Sequence, residues 1–110
     1  MKKIAIVTVN YNTAGETKKL LVSLEKIKRE GVSLEVIVVD NGSKDRLLLN
    51  PKDFSYQLQL LHSEENTGFT GGYNMGIRQA LVDGAEYLLL INNDKIVDPS
   101  VVTKLLEPFE

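Results

Sequence analysis

The stretch Ile4-Ala5-Ile6-Val7-Thr8-Val9 is rich in β-branched side chains and apolar at both parities, so as a strand it calls for cover on both of its faces. Helical signals follow at once. Asn10 ends the strand, and Thr13-Ala14-Gly15-Glu16 matches the Ser/Thr-x-x-Glu capping box, in which hydroxyl and carboxylate satisfy orphan amides at a helix start. The helix is expected to run to about Glu30. Leu20, Leu21, Leu24 and Ile27 share one face, Lys18, Lys19, Lys26 and Arg29 lie mainly off it, and Gly31 stops it.

A second apolar run, Leu34 to Val39, closes on the turn formers Asp40-Asn41-Gly42-Ser43. Asn50-Pro51 marks a loop, and Tyr56 to His62 reads as a third, weaker strand. A glycine-rich stretch, Asn66 to Gly76, leads into a helix expected from about Gly72 to Val82, with Ile77, Ala80 and Leu81 inward. Tyr87 to Ile91 is a fourth strand with Asn92-Asn93-Asp94 at its carboxyl end. Asp98-Pro99 offers a cap residue with proline at the first helical position, so a last helix is expected to about Glu107. Strands alternating with helices imply parallel pairing through right-handed crossovers. The expected fold is α/β, a Rossmann-like single domain over residues 1–110 with a mainly parallel sheet of four strands.

At 110 residues the chain can bury a core without disulfides or a structural zinc, and it has no cysteine for either. Its 13 basic and 15 acidic side chains leave a net charge of −2, which argues against general nucleic-acid binding. No apolar run approaches the ~20 residues that span a bilayer. Lys2 and Lys3 precede an apolar run too short for a secretory signal, so a cytoplasmic address is expected.

In an open parallel sheet, ligands bind beyond the carboxyl ends of the strands where strand order reverses. Asn10-Tyr11-Asn12, Asp40-Asn41 and Asn92-Asn93-Asp94 would all lie at that edge, although each taken alone is equally ordinary turn chemistry. Asp40 could accept either a ribose hydroxyl or the imide hydrogen of a pyrimidine. The loop after the first strand has only Gly15 where a dinucleotide fold needs G-x-G-x-x-G, which argues against nicotinamide and flavin cofactors. Asp94 could hold Mg²⁺ or Mn²⁺ on a diphosphate, or simply bind backbone amides of its own loop. The glycine-rich stretch admits either close approach to a ligand or tight packing. His62, the lone histidine, reads as a strand-end residue with no role.

Together these segments resemble the family 2 glycosyltransferases, inverting enzymes with the GT-A nucleotide-sugar fold, and especially their rhamnosyltransferase-like branch. Ile6 to Asn12 looks like the family's first strand and base-binding loop, and Val38 to Asp45 like its V-D-N/D-G-S-x-D segment. Asn66 to Gly76 matches N-x-G-F-x-G-G-x-N-x-G, and Leu90 to Asp94 with Asp98-Pro99 matches L-x-N-x-D followed by D-P. The resemblance implies that Thr8, Asn10 and Tyr11 line the base pocket, that Asp40 pairs with the base, and that Asp94 binds a divalent metal, Mg or Mn. It extends the nucleotide-binding set to Asn41, Gly71, Asn74, Arg78 and Asn93. Asn92 stands where the family's D-x-D motif begins with aspartate, which leaves fewer charges on the metal.

Family members are considerably longer, and the acceptor site and general base lie in their second half. The expected function is therefore the donor-binding, amino-terminal part of an enzyme of cell-wall or polysaccharide biosynthesis. Its donor would be a UDP- or dTDP-linked sugar and its acceptor a saccharide or lipid-linked hydroxyl, with the whole enzyme at the cytoplasmic face of the membrane. No catalytic base remains among these residues once the donor set is assigned. The alternatives are a nucleotide-binding module without transferase activity and a self-associating fragment that pairs through an exposed apolar edge. A receiver-type signalling domain would need paired acids where this chain has Asn10 and Asn12.

Overall fold

A computed structural model describes residues 1–107. Four parallel strands, β1 (Lys2–Asn10), β2 (Val32–Asn41), β3 (Gln57–Ser63) and β4 (Tyr87–Leu90), form one sheet in the order β3-β2-β1-β4. Helix α1 (Ala14–Leu24) crosses from β1 to β2, α2 (Gly68–Val82) crosses from β3 to β4, and α3 (Val101–Leu106) follows β4. The expected α/β architecture is the one found.

The two parities of β1 and β2 feed two cores, as the doubly apolar first run requires. Ile4, Ile6, Leu34, Val36 and Val38 pack against Leu20, Leu21, Leu24 and Ile27. Ala5, Val7, Ile37 and Val39 pack against Tyr73 and Ala80 of α2. The β2 to β3 connection has no α-helix, only a short 3₁₀ turn at Pro51–Asp53. It covers the α1 side instead with Leu47 and Tyr56, whose phenol donates to the Leu21 carbonyl at 2.7 Å.

Several local expectations are corrected. The capping box does not form: Thr13 stands at the N-cap but makes no side-chain cap bond, because its hydroxyl is engaged with Asn10 and Asn93. Helix α1 ends at Leu24 rather than near Glu30. The amides of Glu25, Lys26 and Ile27 turn to the carbonyls three residues back, tightening the last turn, and Ile27 stays buried.

Helix α2 starts at Gly68, four residues early, so the glycine-rich stretch is helix rather than loop. A Cβ on Gly76 would lie 2.3 Å from Val7 Cγ1, so these glycines bring the helix down onto the sheet. Leu81 faces outward at 60% exposure, contrary to expectation, while Ala80 is buried. Asp98 does not cap α3 directly: its carboxylate accepts from the amide and hydroxyl of Ser100, and the helix begins after that turn. Among the described residues the outer side of β4 has no strand partner, and Leu88 and Leu90 are partly exposed on its α2 face. Among the described residues, no helix is long and apolar enough to cross a membrane.

Candidate functional site

Strand order reverses between β1 and β4, and the carboxyl ends of β1, β2 and β4 meet the start of α2 around a cleft of about 390 Å³. β1 and its loop contribute Val9, Tyr11 and Thr13, with Glu16 from α1. Asn41 ends β2, and Asn92, Asn93 and Asp94 follow β4. Asn66, Phe69 and Tyr73 complete the wall. The Phe69 and Tyr73 rings sit 4.7 Å apart at 56°. The Tyr73 hydroxyl lies within reach of the Ile91 carbonyl at 3.0 Å and Asn92 Oδ1 at 3.2 Å, which fastens α2 to the loop after β4. Burial raises the Tyr73 phenol, Thr8 opposing and the Asp94 charge adding to the rise.

Beneath the cleft a chain of hydrogen bonds joins the strand ends. The Asn93 amide donates to Thr13 Oγ1 at 2.6 Å and Thr17 Oγ1 at 2.9 Å, and Thr17 donates to Asn10 Oδ1 at 2.6 Å. The Asn10 amide in turn donates to Asp40 Oδ1 at 3.1 Å. Asp40 also accepts from Ser43 Oγ at 2.5 Å and from the Leu47 amide at 2.7 Å, and His62 Nδ1 lies 3.4 Å from its Oδ2. Burial works against the Asp40 charge, but the Ser43, Leu47 and Asn10 bonds and the nearby His62 hold its carboxyl below the ordinary value. Asn41 is anchored likewise: it donates to the Gly68 carbonyl at 2.9 Å and Asn66 Oδ1 at 3.2 Å, and accepts from the amide and hydroxyl of Thr67.

The structure therefore brings together only part of the expected set. Tyr11, Asn41, Asn93 and Asp94 line the cleft. Thr8 is buried near it, its hydroxyl beside the Tyr73 phenol without a well-aligned hydrogen bond. Asn10 and Asp40 are buried, and Asp40 opens on a separate polar depression shared with Lys44, Arg46 and His62. Both Asp40 oxygens are already engaged, so its observed contacts are to protein rather than to the cleft. Asn74 and Arg78 are exposed on α2 outside the lining, and a Cβ on Gly71 would strike the Thr67 hydroxyl at 2.5 Å. His62, expected to have no role, supports Asp40.

Thr13, Glu16, Thr17, Phe69 and Tyr73 were not among the expected site residues. Thr17 had a signal: it is a hydroxyl one turn before Leu20 and Leu21 on the buried face of α1, with Thr13 one turn earlier. Among the described residues no three His, Cys, Asp or Glu side chains gather as a metal cage. Asp94 is exposed, has no hydrogen bond or ion pair of its own among those residues, and shares the cleft with Glu16. This sparse oxygen donor set suits a hard divalent cation that keeps water and takes phosphate oxygens for its other positions.

The glycosyl transferase family 2 pattern matches residues 5–110. The chain belongs to this family. It is 31% identical over 105 residues to the low-salt glycan biosynthesis hexosyltransferase Agl10 of Haloferax volcanii, covering 93% of this chain and 31% of that one. Its fold matches that of Staphylococcus aureus TarS, residues 1–349, with a TM-score of 0.79 at 25% identity, covering 96% of this chain and 31% of that one. The same protein in complex with UDP-GlcNAc matches with a TM-score of 0.78 at 25% identity, over 96% and 30% of the two chains. This family 2 chain thus has the GT-A-like, Rossmann-type arrangement, and it spans about a third of the length of these relatives.

Proposed function

We propose that this chain is the donor-binding domain of a nucleotide-sugar glycosyltransferase, holding a nucleoside-diphosphate sugar in the cleft between β1, β4 and α2. The observation that carries this reading is the exposed Asp94 carboxylate at the strand-order reversal, in a polar cleft with an aromatic wall. The complex of TarS with UDP-GlcNAc supports a uridine diphosphate donor, with a thymidine one as the alternative base. Tyr11, Asn41, Asn93 and Asp94 face the ligand, and Asn10 and Asp40 hold the base-side loops from beneath. Gly71, Asn74 and Arg78 are assigned to the diphosphate side by the family resemblance alone, Asn74 and Arg78 standing exposed on α2 outside the cleft lining. A divalent metal held by Asp94, with Asn92 beside it, would neutralise the leaving diphosphate. Transfer to an acceptor hydroxyl with inversion requires a general base and an acceptor site from the rest of the enzyme, so the chain by itself binds without transferring. The enzyme would work in the cytoplasm, at the membrane face, on a saccharide or lipid-linked acceptor.

Calorimetric titration with UDP and dTDP, each with and without Mn²⁺, tests this reading. Saturable, metal-dependent binding of one of them is expected. A folded, monodisperse chain that binds neither would refute it.

A further inference from the structure

The loop after β4 carries Asn92, Asn93 and Asp94 into the cleft, and it is held from two sides. Tyr73 of α2 reaches Asn92, and the Asn93 amide reaches α1 through two threonine hydroxyls. Those two contacts differ in depth. Thr13 lies at the cleft margin and its own bond to Asn10 is long, 3.3 Å, whereas Thr17 is fully buried and donates to Asn10 at 2.6 Å.

Thr17 occupies the inward face of α1 just before Leu20, Leu21 and Leu24, where a valine of nearly the same shape would cost no buried hydroxyl. A threonine there is sustained because its hydroxyl both accepts from Asn93 and donates to Asn10. The donors all run one way, from Asn93 through Thr17 and Asn10 to the Asp40 carboxylate, so each bond polarises the next.

We propose that Thr17 is a positioning residue: its buried hydroxyl fixes the Asn92–Asp94 segment to α1 and the ends of β1 and β2, and so sets where the Asp94 carboxylate stands in the cleft. The consequence for ligand binding rests on the donor-site reading above, while the positioning itself can be measured without any nucleotide.

Thr17→Val keeps the shape and removes both bonds, and Thr17→Ser restores the hydroxyl. Amide hydrogen exchange of residues 92–95 in the ligand-free chain should speed up about tenfold in Thr17→Val, with β1 and β2 unchanged, and return to within about twofold of the wild type in Thr17→Ser. UDP affinity in Mn²⁺ should fall and recover in parallel. If Thr17→Val does not fold, Asn93→Asp, which removes the donor to both threonines, is compared with Thr13→Val, which removes only the marginal hydroxyl: the segment should loosen in the first and stay tight in the second, and equal loosening would overturn the proposal. Unchanged exchange in Thr17→Val, or a Thr17→Ser variant as loose as it, would overturn the proposal. A wild type that binds no UDP would count against the donor-site reading, and the exchange comparison would still decide the role of Thr17.

Discussion

Asp40 and Glu35 are both buried acids on β2, and the fold treats them in opposite ways. Asp40, at the carboxyl end and on the α1 side, collects hydrogen bonds from Ser43, Leu47 and Asn10 and stays ionised. Glu35, nearer the amino end and on the α2 side, has an Oε1 with no partner. Burial first, and then the neighbouring Asp83, push its carboxyl up to about 7 against a weaker pull from Lys3. Asp40 is thus fully partnered at the carboxyl end of the strand, while Glu35 is left wanting nearer its amino end.

Removing Asp40 should show the largest effect. Asp40→Ala strands the Asn10, Ser43 and Leu47 donors in a buried place and should cost about 3–5 kcal/mol in urea denaturation. A loss below about 1 kcal/mol would mean that the chain of bonds contributes little.

Glu35 should show an effect of opposite sign. Its folded-state value is raised from 4.5 to about 7, so stability from this group is full below pH 4.5 and drains as pH rises through 7. Asp40 is lowered from 3.8, so its contribution is present above that value and is lost on acidification. Stability should therefore peak at mildly acidic pH. Glu35→Gln should flatten the alkaline limb and gain about 1–3 kcal/mol at pH 8. Curves for variant and wild type that run parallel across pH would remove Glu35 from the account.

The smallest stability change is expected at Asp94, which is exposed and unpaired among the described residues. Asp94→Asn should melt with the wild type. A marked destabilisation would show that this carboxylate holds the loop rather than waiting for a ligand.

Much of this was legible in the residues. Doubly apolar Ile4 to Val9 called for two covered faces, and the turn formers after each strand placed the polar segments on one edge. What escaped was set by tertiary partners. Thr13 leaves its capping role because Asn93, eighty residues away in sequence, takes its hydroxyl. The glycine-rich stretch looks like a loop until Val9 and Asn41 beside Gly72, and Val7 beside Gly76, show that α2 must come close to the sheet. Local sequence gave Asp40 and Asp94 the same appearance, a carboxylate at a strand end, and only burial separates them.

The most direct test compares UDP binding in Mn²⁺ by the wild type and by Asp94→Asn, with the melting temperature of each recorded alongside. Saturable binding by the wild type, loss of its metal-dependent part in Asp94→Asn, and no shift in melting are expected. Equal binding by two equally stable proteins would contradict this expectation.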